Sequence, residues 1–158
     1  MICSKKGKGK RMDFQEYTRF ANEVRTFYLA TVEGDQPRVR AMGLHKADET
    51  GFTFFTESVK AVYRQLQNNR KVELCFHSTK PGPDAGKVMR VSGEVEFIDD
   101  IAMRTQILEK NPFLKNIGVS GPEDPLMVVC RISKGEAFFW TFASNMKEAE
   151  IERIKFGG

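Results

Sequence analysis

The stretch FFTESVKAVYRQLQNN, residues 54–69, decides the fold because a strand changes into a helix within it. Phe54 and Phe55 are strand-like, and an apolar helical periodicity begins after the polar segment 56–58. This pattern predicts Lys60 in the first helical turn, where the helix dipole disfavours a cation. An anion bound beside that turn would remove the disadvantage. Alternatively, Ser58 simply caps the helix and Lys60 points into water at little cost.

Length and composition define the class of protein. The chain has 158 residues, of which 41% are hydrophobic and 29% charged, as in one soluble globular domain. No apolar run approaches the roughly 18 residues of a membrane span, and the N-terminus lacks the apolar core of a secretory signal. The three cysteines match no metal motif and suit a reducing compartment. We therefore expect a cytoplasmic protein that does not bind a membrane.

The excess of basic residues is confined to the N-terminus. Residues 1–11 contain five cations and no acid, whereas the rest of the chain has 20 basic and 21 acidic side chains. We predict a disordered basic tail at residues 1–11 and a single domain at residues 12–158. The balanced charge of that domain argues against a nucleic-acid partner.

Short apolar segments separated by turn residues indicate a mainly β fold with a few short helices. The first helix is predicted over residues 12–26, and further helices over about 59–69, 100–109 and 111–118. Strands are predicted over seven segments, namely 27–33, 38–46, 52–55, 71–77, 87–97, 127–132 and 135–142. The short links favour an antiparallel sheet or a small barrel over a parallel, doubly wound fold. Weak helical character is expected after residue 145.

The segment EAFFWTF, residues 136–142, has large apolar side chains on both faces of its predicted strand. A strand that is apolar on both faces must be covered on both faces. One face belongs to the core, and the other must meet a helix, a ligand or a second subunit. We favour a dimer interface.

Cationic side chains near the stretch 54–69 suggest a phosphate site. Arg38 and Arg40 are two residues apart on a predicted strand and project from one face. If this strand pairs with residues 52–55, Arg40 lies near Lys60 and the free N–H groups of the helix start, which together would hold a phosphate. Alternatively, the two arginines form a solvated strand face.

Motifs of hydrolytic catalysis, of nucleotide-binding loops and of metal binding do not occur in the sequence. The two histidines, His45 and His77, lie at predicted strand ends and are expected to be ordinary polar residues. We therefore predict no catalytic side chain and no metal site.

Three segments in order resemble the pyridoxamine 5′-phosphate oxidase-like, FMN-binding split-barrel family, namely FYLATVEGDQPRVRAMG, DETGFTFFTESVKAVYRQLQNNRKVELCF and MRVSGEVEF. The resemblance covers about residues 27–98, and KNPFLKNIG and EAFFWTF are similar to a branch of small bacterial members. It implies a six-stranded antiparallel split barrel of Greek-key type. It also implies a homodimer with FMN at the subunit interface.

The resemblance assigns roles to individual residues. Arg40 takes the position of the family's phosphate-binding arginine, and Ser58 and Lys60 match the residues that hold the FMN phosphate. The other candidates contact the flavin or its surroundings: Ala41, Met42 and Gly43 along the ring, Phe55 and Thr56 at the end of the next strand, Met89 and Arg90 from the partner subunit, and Trp140 in the partner-side wall of the pocket.

The function implied is that of an FMN flavoprotein with oxidoreductase activity on an unidentified small substrate or reductant. The chain departs from the oxidase at Lys60-Ala61-Val62, where the oxidase has Ser-Arg-Lys, and it ends IERIKFGG without the oxidase's substrate-binding arginine segment. Oxidation of pyridoxamine phosphate itself is therefore not expected. The alternative is a non-enzymatic flavin or haem binding or sensor protein on the same fold.

Overall fold

The apolar segments of the sequence form one continuous antiparallel sheet in the computed structural model, which describes residues 13–158. This part of the chain contains nine strands: β1 Thr26–Glu33, β2 Gln36–Asp48, β3 Gly51–Glu57, β4 Lys71–His77, β5 Val88–Glu94, β6 Glu96–Phe97, β7 Met127–Ile132, β8 Gly135–Trp140 and β9 Ile154–Phe156. The helices are α1 Phe14–Val24, α2 Ala61–Asn68, α3 Ile101–Lys110 and α4 Phe113–Asn116, with a 3₁₀ segment at Phe142–Glu150. The predicted tail at residues 1–11 lies outside the described residues.

The strand order is β6-β7-β3-β2-β1-β4-β5-β8-β9. Hairpins join β1, β2 and β3, and β4 returns to pair beside β1, which is the Greek-key arrangement. The predicted mainly β split barrel is confirmed, although the described chain has nine strands where the resemblance implied six.

Two differences from the predicted strands have local causes. The segment 87–97 divides at Val95, whose N–H donates to Arg70 O at 2.8 Å, so that β5 pairs with β4 and β8 while β6 crosses to pair with β7. At the C-terminus the expected helical character is wrong for residues 154–156. Ile154 and Phe156 are buried on either side of an exposed Lys155, which is the period of a strand.

Both faces of β8 are covered by the same chain. On the inner face, the Phe139 ring stacks on Tyr17 of α1 with centroids 4.4 Å apart. On the outer face, the Arg153 guanidinium lies 4.1 Å from the centroid of the Phe138 ring. The predicted cover holds for Phe139 and Phe138, whereas Trp140 is only partly buried and Phe142, just beyond the strand, is 77% exposed. The dimer interface stays a prediction.

Strand β2 contains a bulge at His45. Leu44 pairs with Phe54 but Lys46 pairs with Thr53, so His45 is an extra residue on β2. A bulge bends the strand and re-aims its side chains. As a result, the neighbours Leu44 and His45 are both buried, which a regular strand with one solvated face does not allow.

Within residues 13–158, no helix has the length and the apolar character that crossing a membrane requires.

Candidate functional site

Helix α2 begins directly after β3, and its N-cap is Lys60. The backbone of Lys60 is extended, with φ −82° and ψ 150°, and no side chain accepts a hydrogen bond from the first turn. Ser58 lies two residues before this N-cap, and its backbone N–H donates to Leu126 O at 2.8 Å. The alternative in which Ser58 caps the helix is therefore wrong, and Lys60 lies one residue before the predicted first turn. The Tyr63 N–H donates to Lys60 O at 3.2 Å, and the Ala61 and Val62 amides of the first turn remain available to a ligand.

Lys60 forms an ion pair that sequence reasoning missed. Its side chain is 57% exposed, but Nζ lies 2.5 Å from Oε2 of Glu57, whose side chain is 8% exposed. The contact lacks hydrogen-bond alignment, since Glu57 Oε2 has no hydrogen-bond partner within the described chain. Lys60 therefore offsets the charge of a buried carboxylate as well as facing the helix start.

Arg40 is half buried, and neutral acceptors hold its guanidinium. Nη1 donates to Leu29 O at 3.2 Å and to Thr31 Oγ1 at 2.7 Å, and Nη2 donates to Gln65 Oε1 at 2.6 Å. Burial, helped by the nearby charge of Arg38, lowers the pKa of Arg40. Among the residues of the structure, no carboxylate lies within ion-pair distance of Arg40. An arginine whose charge is not neutralised and which keeps further N–H donors is suited to an anion.

Gln65 on α2 organises this network, and sequence reasoning missed it. Its Oε1 accepts from Thr31 Oγ1 at 2.7 Å as well as from Arg40, and its Nε2 donates to Glu33 Oε2 at 2.8 Å. Gln65 lies at helical spacing from the apolar Val62 and is buried like it. A polar residue at an apolar position of a helix was the signal that could have identified it.

A cavity of about 470 Å³ lies beside the start of α2. Residues 41–45 of β2 form one wall, and Phe55, Glu57 and Lys60 form another. The rest of the lining comes from Arg25, Thr26, Lys110, Asn111 and Phe113. The structure thus brings together five predicted residues, namely Ala41, Met42, Gly43, Phe55 and Lys60. The predicted Arg40, Thr56 and Ser58 adjoin this lining along the chain without being part of it.

Three buried polar atoms at or beside this cavity have no hydrogen-bond partner in the described part of the chain, namely His45 Nε2, Thr56 Oγ1 and Glu57 Oε2. His45 is 6% exposed. Its burial, followed by the positive charges of Lys110, Lys46 and Arg25, lowers the pKa of His45 to about 4. The expectation of an ordinary polar residue at a strand end is wrong for His45. Buried polar atoms without partners are rare in proteins, and water, an ion or a ligand can supply the missing partner.

The remaining predicted residues lie on the other half of the sheet. Met89 is fully buried in the main core of its own protomer. The Arg90 Nε donates to Glu73, and the Arg90 guanidinium lies 5.3 Å from the Phe138 ring centroid. Trp140 is partly buried beside Phe142. Within one protomer these residues do not line the 41–45 cavity, and their role in a partner's pocket stays a prediction.

A second cavity, of about 600 Å³, lies between α1 and the loop 78–84. Its lining includes Lys80 but also the carboxylates of Glu23 and Asp84. The 41–45 cavity has three cations and one carboxylate in its lining, whereas this one has one lysine and two carboxylates, so the 41–45 cavity is the better anion site. No cluster of three or more His, Cys, Asp or Glu side chains able to hold a metal occurs within residues 13–158.

Comparison with known sequences identifies the family of the chain. The family model described as pyridoxamine 5′-phosphate oxidase matches residues 14–141. The pyridoxine/pyridoxamine 5′-phosphate oxidase of Pseudomonas paraeruginosa is 37% identical over 81 residues, which is 51% of this chain and 36% of that protein. The enzyme of the same name from Hyphomonas neptunium is 49% identical over 59 residues, which is 35% of this chain and 26% of that protein. The matches thus span about a third of the relatives' length.

Solved structures share the fold over most of the chain. A NimC/NimA family protein from Clostridium acetobutylicum has a TM-score of 0.71 and 30% identity, covering 90% of this chain and 92% of that one. A pyridoxamine 5′-phosphate oxidase-related, FMN-binding protein from Nostoc punctiforme has a TM-score of 0.62 and 16% identity, covering 90% and 92%. The heme storage protein of Vibrio cholerae has a TM-score of 0.57 and 16% identity, covering 75% and 87%. The latter two similarities concern the fold alone.

Proposed function

Since the chain belongs to the pyridoxamine 5′-phosphate oxidase family, we propose that it is a flavoprotein that binds FMN beside residues 41–45. The observation that carries the proposal is the cavity at the start of α2. Lys60 belongs to its lining, and Arg40 directly precedes the lining residue Ala41. When bound, FMN supplies electron-transfer chemistry, and the protein binds and orients it. This agrees with a sequence in which no catalytic side chain stands out.

The phosphate of FMN is proposed to bind between Arg40, Lys60 and the first-turn amides of α2. A phosphate monoester carries a charge of about −1.5 to −2 near neutral pH, which two cations balance. Gln65 and Thr31 hold the Arg40 guanidinium before a ligand arrives, so little side-chain entropy is lost on binding. Lys60 already sits at the helix start, where Glu57 limits its freedom.

The flavin ring is proposed to lie along the backbone of residues 41–43. Ala41 and Gly43 are exposed and small, and a Cβ placed on Gly43 would meet no heavy atom within 4 Å. A flat ligand can therefore approach the strand closely. Thr56 is buried near the end of β3, and its hydroxyl has no hydrogen-bond partner within the described residues. This hydroxyl is proposed to hydrogen-bond the flavin after a small shift of the surrounding side chains.

We also propose a homodimer that encloses the flavin. The outer face of the sheet exposes Tyr28 to 50% and Val39 to 69%, next to Ala41 of the cavity. Tyr28 on β1 pairs with Cys75 on β4, which in turn pairs with Arg90 on β5, so the side chains of all three residues lie on this outer face. Exposed apolar surface beside a ligand cavity is typical of an interface. A second copy would cover this surface and bring its own Arg90 and Trp140 towards the flavin.

Oxidoreductase activity on a small substrate is the leading hypothesis, and a non-enzymatic flavin or haem binding protein is the alternative. The fold shared with a heme storage protein keeps the alternative open. Protein purified in the presence of FMN should retain flavin absorption bands and oxidise a reduced nicotinamide with a nitro compound as acceptor. Flavin bands without turnover would favour a carrier or sensor. A Soret band on adding haemin, with no flavin retained, would favour haem binding.

A further inference from the structure

The cavity of about 600 Å³ between α1 and the loop 78–84 has no part in the proposed FMN site. It nevertheless adjoins that site, because Thr26 belongs to its lining and also to the lining of the 41–45 cavity. The two cavities therefore meet at Thr26. A ligand that is longer than either cavity can extend from one into the other.

The loop 78–84 is fixed to the rest of the chain at both of its ends. The Ser78 N–H donates to Lys87 O at 3.0 Å, and the Lys87 side chain pairs with Asp84 at 3.2 Å. The Lys87 Nζ also lies 4.1 Å from the centroid of the Phe139 ring, which anchors it to the core. This wall of the cavity is therefore formed before a ligand arrives, as in most small-molecule sites.

The lining of this cavity combines apolar surface with hydroxyl groups. The ring of Tyr28 is half exposed, and a heteroaromatic base can stack on it. Further apolar surface comes from Phe20, Val24, Pro81 and Pro83, and Thr79 adds a hydroxyl group. Tyr28 also belongs to the proposed dimer surface, so a second copy would border this side of the cavity and help to enclose its ligand.

Two carboxylates in the lining each keep one oxygen free. Oε1 of Glu23 accepts from Arg19 at 2.9 Å, and Oδ1 of Asp84 accepts from Lys87 at 3.2 Å. The second oxygen of each carboxylate accepts no hydrogen bond from residues 13–158. A carboxylate that accepts from the ribose hydroxyls is the feature by which many dinucleotide sites bind NAD. The same carboxylate opposes the additional phosphate that NADP carries on that ribose.

We infer that this cavity binds the adenosine part of a reduced nicotinamide dinucleotide, and that Glu23 and Asp84 favour the form without a phosphate on the adenosine ribose. Lys80, in the same lining, offers its charge to the linking diphosphate. The nicotinamide then extends past Thr26 into the 41–45 cavity, where FMN is proposed to lie.

The inference rests on the proposed function, because it names the electron donor of that flavin. Hydride transfer moves two electrons and one proton from the dihydronicotinamide to the flavin, and the donor leaves as the oxidised dinucleotide. The chain's own contribution is to bind the adenosine part and so to hold the nicotinamide beside the flavin.

The chain has two histidines, one in the lining of each cavity, so imidazole NMR signals locate the ligand. We would titrate ¹⁵N-histidine-labelled, full-length protein with ADP-ribose, with and without FMN. ADP-ribose should shift the signals of His77 saturably and more than those of His45. Shifts confined to His45, or no shift of either histidine, would overturn the inference. ADP-ribose binding at His77 in a protein that retains no FMN would support the site and refute only the proposed function.

A matched pair of variants tests the selectivity. Calorimetry should show that ADP-ribose binds at least about tenfold more tightly than its 2′-phosphorylated form, because the carboxylates oppose the extra phosphate. Glu23→Lys should reduce this ratio at least about fivefold. Glu16→Lys, on the same helix and outside the lining, should leave it unchanged. Wild-type protein that binds both ligands equally, or equal effects of the two variants, would refute the inference.

Discussion

The Nη2 of Arg40 lies 2.6 Å from Oε1 of Gln65, so the side chain assigned to phosphate binding is held by the helix that begins beside the same site. Gln65 also contacts Thr31 and Glu33 of β1. One amide therefore couples β1, β2 and α2. The geometry of the proposed phosphate site and the stability of the barrel should therefore both depend on Gln65.

Replacing Gln65 with Leu tests this coupling. We expect FMN affinity to fall about tenfold, since Arg40 loses the acceptor that orients it, and the free energy of unfolding to fall by about 1–3 kcal/mol, since buried polar groups lose partners. Fluorescence quenching and urea unfolding measure the two effects. Gln67→Leu, at an exposed position of the same helix, is the control. Equal FMN affinity in the two variants would contradict the role of Gln65.

The pair formed by Lys60 and Glu57 predicts opposite effects of two substitutions. Lys60→Gln should weaken FMN binding about tenfold through loss of a charge-assisted contact. Glu57→Gln should strengthen it about two- to fivefold, because Lys60 then interacts with phosphate without competition. Both affinities follow from FMN titrations at low salt. A Glu57→Gln protein that binds FMN more weakly than the wild type would show that the carboxylate supports the site.

The same pair affects stability. A lysine at a helix N-terminus is unfavourable by itself, but here it accompanies a buried carboxylate. Lys60→Gln should therefore lower the free energy of unfolding by up to about 1 kcal/mol. In a Glu57→Gln background the same change should be neutral or stabilising, because only the dipole effect remains. Equal effects in both backgrounds, measured in a double-mutant cycle by urea unfolding, would show that the pair contributes nothing.

His45 predicts a specific dependence of stability on pH. Its pKa is about 4 in the folded protein and 6.5 as the ordinary value, so the unfolded chain takes up the proton first as the pH falls. The free energy of unfolding therefore falls as the pH is lowered from about 6.5 to about 4. At pH 5 the loss is about 2 kcal/mol relative to pH values above 6.5. In His45→Gln, the loss between pH 7.5 and 5 should be smaller by that amount. Parallel curves for the two proteins in urea unfolding would contradict the buried, neutral histidine.

Val39→Glu tests the proposed interface. Val39 is exposed on the same outer face as Tyr28, and a carboxylate there would be buried without a partner in the dimer. We expect a monomer by light scattering and an FMN affinity reduced at least about tenfold. Ile101→Glu, which changes an exposed residue of α3 outside the cavity lining, is the control. Val39→Glu protein that remains dimeric with unchanged FMN affinity would place the interface elsewhere.

Local patterns were sufficient to predict most of the barrel. Alternation of apolar and polar residues located the larger strands, and the family resemblance added the split-barrel arrangement. The division of 87–97 was not predictable locally, because it depends on the bond from Val95 to Arg70 and on pairing with β7. Strand β9 is three residues long and too short for its period to stand out.

Residues of the candidate site could be predicted from the sequence only where the residue type itself indicated anion binding. Arg40 and Lys60 stand out as cations in a strand–helix connection. Glu57 and Gln65 do not, since their importance follows from burial, which tertiary packing decides. The position of His45 depends on a register shift between two strands, and a single strand does not encode that shift.

The ratio of FMN to riboflavin affinity tests the central claim most directly, because the two ligands differ only by the phosphate. Contacts from Arg40, Lys60 and the α2 amides should make FMN bind roughly a hundredfold more tightly, as expected for two or more hydrogen bonds between charged groups. Arg40→Gln should remove most of this difference and leave riboflavin affinity nearly unchanged. Wild-type protein that binds both flavins equally, or neither, would contradict a phosphate site at the start of α2.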